Sequence, residues 1–227
     1  MKLERLNIFN DGVEHITAII SKKTIKSLIE DISNLEDNMP KHGIRNAQII
    51  IPSINLLAYS NTVVDLCKRV LGQNPQLVRA IYFDKTANNN WAVSWHQDKT
   101  ICVNQKAEID NWGPWTVKGN INHVQPDIHV LNKMLTTRIH LDDTNENNGC
   151  LKVIPNSHKL GIIKQNDIFS IIKKQSIINC ILKAGDALIM RPHTLHSSSK
   201  SLQNTLHRRV IHLEFSNYKL PNNLHWL

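Results

Sequence analysis

From residue 77 onward the chain is a succession of short apolar stretches, each closed off by residues that favour turns. The stretches 77–83, 91–95, 100–103, 135–141, 151–154, 177–182, 187–190 and 209–215 read as strands. Between them lie Asn88-Asn89-Asn90, Asn147-Asn148-Gly149, Pro155-Asn156 and Ala184-Gly185-Asp186. Asn and Gly tolerate left-handed backbone and Pro cannot donate to a strand ladder, so such clusters end strands. Many short strands with turns between them predict a sandwich or a jelly-roll barrel.

Ahead of this region the texture is different. Residues 13–20 alternate weakly, as a short strand does. A helix is predicted next, with Ser21 or Thr24 as N-cap and Ile25, Leu28, Ile29 and Ile32 at helical spacing. Residues 48–58 are apolar and lead to Ser60, and a second helix is predicted over about 62–71, stopped by Gly72. A chain of 227 residues suits one domain with long loops. The expected class is mainly β with flanking helices (α+β), with a helical flank over about 1–76 and a barrel core over about 77–216. The stretch 104–134 reads as irregular around Trp112-Gly113-Pro114-Trp115, and is expected to be a lid loop over a substrate site.

Composition removes several classes. Hydrophobic residues at 41% and charged residues at 20% are ordinary globular values, which excludes disorder and coiled coil. No apolar run is long enough to span a bilayer, and residues 1–10 lack the apolar core of a signal peptide. Cys67, Cys102, Cys150 and Cys180 have no paired spacing, so neither a disulfide framework nor a cysteine zinc site is expected, and the cytoplasm is the expected compartment. Lys and Arg number 27 against 19 Asp and Glu, a net charge of +8. They are dispersed, without the basic stripe and interleaved aromatics of a nucleic-acid site, so the excess is read as a solvated surface or as attraction for an acidic small substrate.

The chemistry begins at Trp95-His96-Gln97-Asp98. In a strand, residues two apart share a face, so His96 and Asp98 project together. An imidazole and a carboxylate so placed can take two adjacent corners of an octahedral metal. A distant second histidine would complete a two-histidine, one-carboxylate facial triad with three open positions, the pattern of non-haem Fe(II) oxygenases. The segment 185–198 offers His193 or His196 as the third ligand. Arg208 opens the apolar stretch 208–215 twelve residues beyond His196. An arginine inside a barrel needs an anion. A 2-oxo diacid would supply one, its far carboxylate on the guanidinium and its near end on the metal.

These residues carry a resemblance. Phe83-Asp84-Lys85-Thr86, Trp95-His96-Gln97-Asp98, residues 138–143, residues 148–161 through Pro155-Asn156-Ser157-His158, Gly185-Asp186, His196-Ser197-Ser198 and Arg208-Arg209 resemble, in order, the phytanoyl-CoA dioxygenase family. That family implies an Fe(II)- and 2-oxoglutarate-dependent oxygenase on a double-stranded β-helix, the jelly-roll or cupin-like barrel. It implies His96, Asp98 and His196 as catalytic metal ligands, His196 being favoured over His193 by the following serines. It implies Arg208 and Ser198 as the grip on 2-oxoglutarate, with Arg209 the alternative one residue on, and Gln97 beside them. Arg138 stands where the family often has tryptophan, and is expected to add positive charge for the co-substrate or for an acidic substrate; Lys85 is a further candidate for the same pocket. Asn156 replaces the usual glycine of the turn before His158, which is expected to be structural. The aspartate at 98 favours oxygen insertion over halogenation, for which related enzymes have a small residue.

The implied reaction consumes O₂ and 2-oxoglutarate, with ascorbate as a supporting reductant, releases succinate and CO₂ and hydroxylates a small organic substrate: an acid, an acyl-CoA thioester, an amino acid or a secondary metabolite. The competing expectations are a catalytically silent binding protein on the same barrel and a cupin-like zinc or manganese enzyme.

Overall fold

The computed structural model describes residues 2–35, 43–202, 207–221 and 223–227. Parts of the expected flank and core at 36–42 and 203–206 lie outside the described residues. In chain order the strands are β1 (Val13–Ile16), β2 (Gly43–Arg45), β3 (Gln76–Lys85), β4 (Val93–His96), β5 (Ile101–Val103), β6 (Trp115–Lys118) and β7 (Ile121–Val124). They continue with β8 (Met134–His140), β9 (Leu151–Val153), β10 (Ile178–Cys180), β11 (Ala187–Met190), β12 (His196–Ser198) and β13 (Arg208–Ser216).

Three sheets result. The largest has the order β1-β11-β8-β13-β3-β2, the second β10-β9-β12-β4, and the third β5-β7-β6. Every pairing is antiparallel. This is the predicted jelly-roll class, but β1 and β2 come from the flank, so the barrel recruits its edge strands from residues ahead of 77.

The large sheet is buried on both faces. Its outer face bears Ala80, Tyr82, Leu135, Ile139, Ala187, Ile189, Ile211, Leu213 and Phe215, which pack with Ile25, Leu28, Ile32, Ile54, Leu57, Val63 and Cys67. Those partners lie on the helices Lys22–Ser33, Pro52–Ala58 and Asn61–Leu71. The Ser21 hydroxyl caps the first, accepting from the Thr24 N–H at 3.1 Å, so Ser21 and not Thr24 is the N-cap. Gly72 ends the third, as expected. The helix Pro52–Ala58 was not legible as such; its proline sits in the first turn, where a missing N–H costs nothing.

Inside the barrel, one end is filled. Val13, Leu188 and Met190 from the large sheet meet Leu151, Val153, Ile178 and Cys180 from the second. Asp186 fastens the turn before β11 by accepting from the Ala18 and Lys183 N–H groups and from His15 Nε2. Asn156 holds φ 66°, so asparagine does serve in the tight turn, and His158 packs so closely under Gly12 (φ 74°) that a Cβ there would lie 2.2 Å from its Nδ1.

The irregularity expected of the lid segment is corrected. Segment 104–134 carries the hairpin β6–β7 and the short helix Ile128–Leu131 instead of an irregular loop. Trp112 and Trp115 pack against a cluster containing Val78, Ile101, Val124, Leu220 and Leu224. From this segment only Lys118 and His123 reach the cavity at the other end of the barrel. The tryptophans are partly buried because β5 and the C-terminal residues offer them apolar surface, which a local reading cannot see.

Candidate metal and co-substrate site

The strand register builds the centre of the site. His196 on β12 is the direct cross-strand partner of His96 on β4. Their rings lie 4.2 Å apart between centroids. Asp98 follows the end of β4 and is pinned by its own N–H, which donates to the Pro192 carbonyl at 2.9 Å. Its two carboxylate oxygens lie 3.5 Å from the Nε2 atoms of His96 and His196, one oxygen to each ring. Burial would raise the Asp98 carboxyl, but the flanking imidazoles outweigh it and hold it well below the usual carboxylate range.

These side chains fit a divalent metal. Nδ1 of His96 meets the Ser94 carbonyl at 2.8 Å, and Nδ1 of His196 meets the Thr194 carbonyl at 2.8 Å. A carbonyl only accepts, so both Nδ1 atoms carry a proton, and the Nε2 atoms turned to the carboxylate are the ones that can bind an ion on losing theirs. The donor atoms of His96, Asp98 and His196 all lie within 4.8 Å of one another. Donors about 2.1 Å from one ion on adjacent octahedral corners sit roughly 3 Å apart, so only a small contraction is needed. His193, the other candidate third ligand, is fully buried beside the ring of His158 at 6.0 Å and is not in this cluster.

The triad forms one wall of a cavity of about 210 Å³. The other wall is the inner face of β3, β13 and β8. Arg208 and Lys85 are register partners and face inward together. Lys85 is 1% exposed and Arg208 3% exposed. Lys85 Nζ donates to Ser198 Oγ at 2.5 Å and to the Ser199 carbonyl at 2.7 Å. The Arg208 Nε is buried without a hydrogen-bond partner among the described residues. Burial, with Arg208 and Arg138 nearby, pushes the Lys85 amine down to about 7. Burial, with Arg138 nearby, pushes the Arg208 guanidinium down to about 10. Two buried cations side by side repel, and a shared anion relieves that repulsion.

The remaining expected residues separate cleanly. Arg209 points to the opposite face, in a two-pronged pair with Asp142 at 2.8 and 2.7 Å, so Arg208 and not Arg209 reaches the cavity. Ser198 lines the cavity. Gln97 does not: its amide donates to the Gly161 and His193 carbonyls and its oxygen accepts from the Ile163 N–H. Gln97 is therefore a strut between loops, because strand alternation sends it away from the face shared by His96 and Asp98. Arg138 does reach the cavity, where its Nη1 donates to Nδ1 of His212 at 2.8 Å.

The sequence reading missed the group behind Arg138. His212 Nε2 donates to Glu214 Oε1 at 3.0 Å, and Arg79 donates to that same oxygen through Nε at 2.9 Å and Nη2 at 2.5 Å. Burial opposes the Glu214 charge, but Arg79 and His212 hold the carboxyl below its ordinary value. The signal was present as polar residues at every second position of stretches otherwise apolar: 79 and 85 on β3, 208, 212 and 214 on β13.

The fold is a jelly-roll barrel with His96, Asp98 and His196 clustered at its open end. The phytanoyl-CoA dioxygenase family model matches residues 10–209, and the chain belongs to that family. A probable alpha-ketoglutarate-dependent hypophosphite dioxygenase of Stutzerimonas stutzeri is 25% identical over 169 residues, 65% of this chain and 50% of that protein. The chain thus spans about half the length of this curated relative. Among solved structures, EctD from S. alaskensis with bound iron superposes with a TM-score of 0.70 at 16% identity, covering 92% of this chain and 74% of that one. The epimerase SnoN in complex with Fe³⁺, alpha-ketoglutarate and nogalamycin RO gives 0.69 at 16% identity, covering 94% and 83%. At these identities the structural likeness speaks for the fold.

Proposed function

We propose that the protein is an Fe(II)- and 2-oxoglutarate-dependent dioxygenase that hydroxylates a small organic substrate and releases succinate and CO₂. The observation that carries this reading is the convergence of His96, Asp98 and His196, Nε2 atoms and carboxylate facing one another, beside the buried cations Lys85 and Arg208, whose Nε has no hydrogen-bond partner among the described residues. Bound iron would supply the activation of O₂ coupled to decarboxylation of the co-substrate.

This chain's residues do the rest. His96, Asp98 and His196 would hold the ion through two imidazole nitrogens and a carboxylate oxygen. Arg208, Lys85 and Ser198 take the far carboxylate of 2-oxoglutarate in a dry site, where charge-assisted bonds are strongest. The Nδ1–H bonds of both histidines to backbone carbonyls fix the rings with Nε2 aimed at the shared centre. Asp98 would give the ion a carboxylate ligand, which favours oxygen insertion over halogenation. The relatives named above are a dioxygenase acting on hypophosphite and an epimerase, so the triad leaves the substrate to the rest of the cavity.

The test is an anaerobic titration of the Fe(II)-loaded chain with 2-oxoglutarate, followed by admission of oxygen. A visible charge-transfer absorption on adding the co-substrate, then succinate release, is expected. Iron uptake without either signal would sink the reading.

A further inference from the structure

Six cationic side chains line the cavity, Arg45, Arg79, Lys85, Lys118, Arg138 and Arg208, against two carboxylates, Asp98 and Glu214. Asp98 belongs to the triad, and Glu214 is committed to Arg79 and His212. The diacid co-substrate accounts for Arg208 and Lys85. Arg138 is left over.

Its position sets it apart. Arg138 is the register partner of His212, four residues along β13 from Arg208. At about 3.3 Å per residue its row lies roughly 13 Å further along the sheet. It is 7% exposed, and its Nε is buried with no hydrogen-bond partner. The chain Arg79–Glu214–His212–Arg138 fixes its orientation, and the ring of Phe83 lies 5.9 Å from its guanidinium carbon. His212 accepts at Nδ1 and donates at Nε2, so it is neutral and offers the Arg138 guanidinium no countercharge. A buried guanidinium with unspent donors is costly unless an anion meets it. Arg45 and Lys118, on exposed stretches of β2 and β6, add charge of the same sign to the cavity wall. Like charges around a concave opening draw an anion inward.

We infer that the substrate carries an oxyanion group, a carboxylate or a phosphorus oxyacid, that Arg138 binds inside the cavity, with Arg45 and Lys118 gathering it at the mouth. The assignment rests on the oxygenase reading only for the seat of 2-oxoglutarate on Arg208 and Lys85.

The experiment is calorimetric titration of methylphosphonate, propionate and the neutral ester dimethyl methylphosphonate into the full chain loaded with Zn(II) and saturated with 2-oxoglutarate. At least one acid should bind and the ester should not; the preferred acid identifies the oxyanion. Arg138→Gln should weaken that acid about ten- to a hundredfold, the worth of a charge-assisted pair, while affecting 2-oxoglutarate less. Arg138→Lys should recover part of the loss. Failure of both acids to bind, equal binding of the ester, or an unchanged acid affinity in Arg138→Gln overturns the inference. So does a larger loss for 2-oxoglutarate than for the acid, which would return Arg138 to the co-substrate. Should Arg138→Gln not fold, the exposed double variant Arg45→Ser/Lys118→Ser carries the test: it should lower acid affinity severalfold and flatten its salt dependence, and no change in either defeats the idea. The oxygenase reading fails separately, at the loading step, if the wild-type chain takes up neither Zn(II) nor 2-oxoglutarate.

Discussion

Strands β3, β8 and β13 carry two opposite chemistries on alternate residues. Their outer face is a row such as Tyr82–Ile211–Ile139, sealed under helices. One residue along each strand, the inner face gives Ile81–His212–Arg138, with Arg79 and Glu214 in the next inward row on one side and Lys85 and Arg208 two inward rows away on the other. Both faces are buried, so burial does not distinguish them. The outer face is satisfied by its own packing. The inner face is satisfied only in part, through Glu214 and His212, and keeps donors for molecules that come from outside. Stability and function thus alternate along the same backbone, and substitutions should separate them.

The largest separation is expected at the triad. His196→Ala should abolish iron binding and reduce succinate formation by about a thousandfold or more, in the range seen when a catalytic group is removed. The melting temperature should change little, because the lost ring borders a cavity. Metal analysis and a melt on the same sample check both halves; retained iron with full turnover would break the comparison.

Two neighbours on β13 sharpen it. Phe215 is fully buried on the outer face, and Phe215→Ala should cost about 3–5 kcal/mol of stability, transfer and cavity terms together. Glu214→Gln should cost a similar amount, about 3–5 kcal/mol, for a different reason: it strands the buried Arg79 charge. Denaturant unfolding reads the equality. Binding reads the difference, since only Glu214→Gln unfixes His212 and Arg138 and should alter uptake of an acidic ligand. Identical binding in the two variants would mean that the inner network is scaffolding alone.

The legibility of the chain divides along the same line. The barrel class and most strands follow from apolar stretches and turn residues, because those are local. The triad follows from His96 and Asp98 sharing a strand face and from a histidine ahead of paired serines. The helix Pro52–Ala58 escaped because its apolar residues run nearly continuously, without a clear period. The order in 104–134 was not legible because the partners of Trp112 and Trp115 include Leu220 and Leu224, about a hundred residues away in sequence. Arg79, His212 and Glu214 were visible as polar interruptions of apolar strands, but only the register of β3, β13 and β8 turns them into a chain of hydrogen bonds.

A smaller effect distinguishes adjacent arginines. Arg208→Gln should weaken 2-oxoglutarate about ten- to a hundredfold, the loss of a charge-assisted bond. Arg209→Gln breaks a partly exposed pair with Asp142 instead. It should leave that affinity within about twofold and cost roughly 1 kcal/mol or less of stability. Calorimetric titration of both variants decides. Equal losses would show that both faces of the strand serve the co-substrate.

The smallest effect is a pH dependence written by Lys85. Its amine faces Ser198 Oγ, the Ser199 carbonyl, the Trp91 ring and the guanidinia of Arg208 and Arg138, with the Cys150 thiol nearby. Burial foremost, then the two arginines, lower it to about 7. The folded value lies below the ordinary one, so between pH 7 and the usual lysine range the unfolded chain holds a proton that the folded chain has released. Stability therefore rises with pH across that window and is flat below it. A carboxylate arriving beside Lys85 reverses the preference, since it favours the ammonium form. Binding of 2-oxoglutarate should then take up a proton near pH 8, and affinity should fall as pH rises from 6 to 8.5, with a slope of at most about tenfold per unit. Titration in buffers of different ionisation heat measures the proton directly. Lys85→Met should flatten the slope while retaining the Arg208 contribution; an unchanged slope in that variant would place the titrating group elsewhere and leave Lys85 as a brace for Ser198.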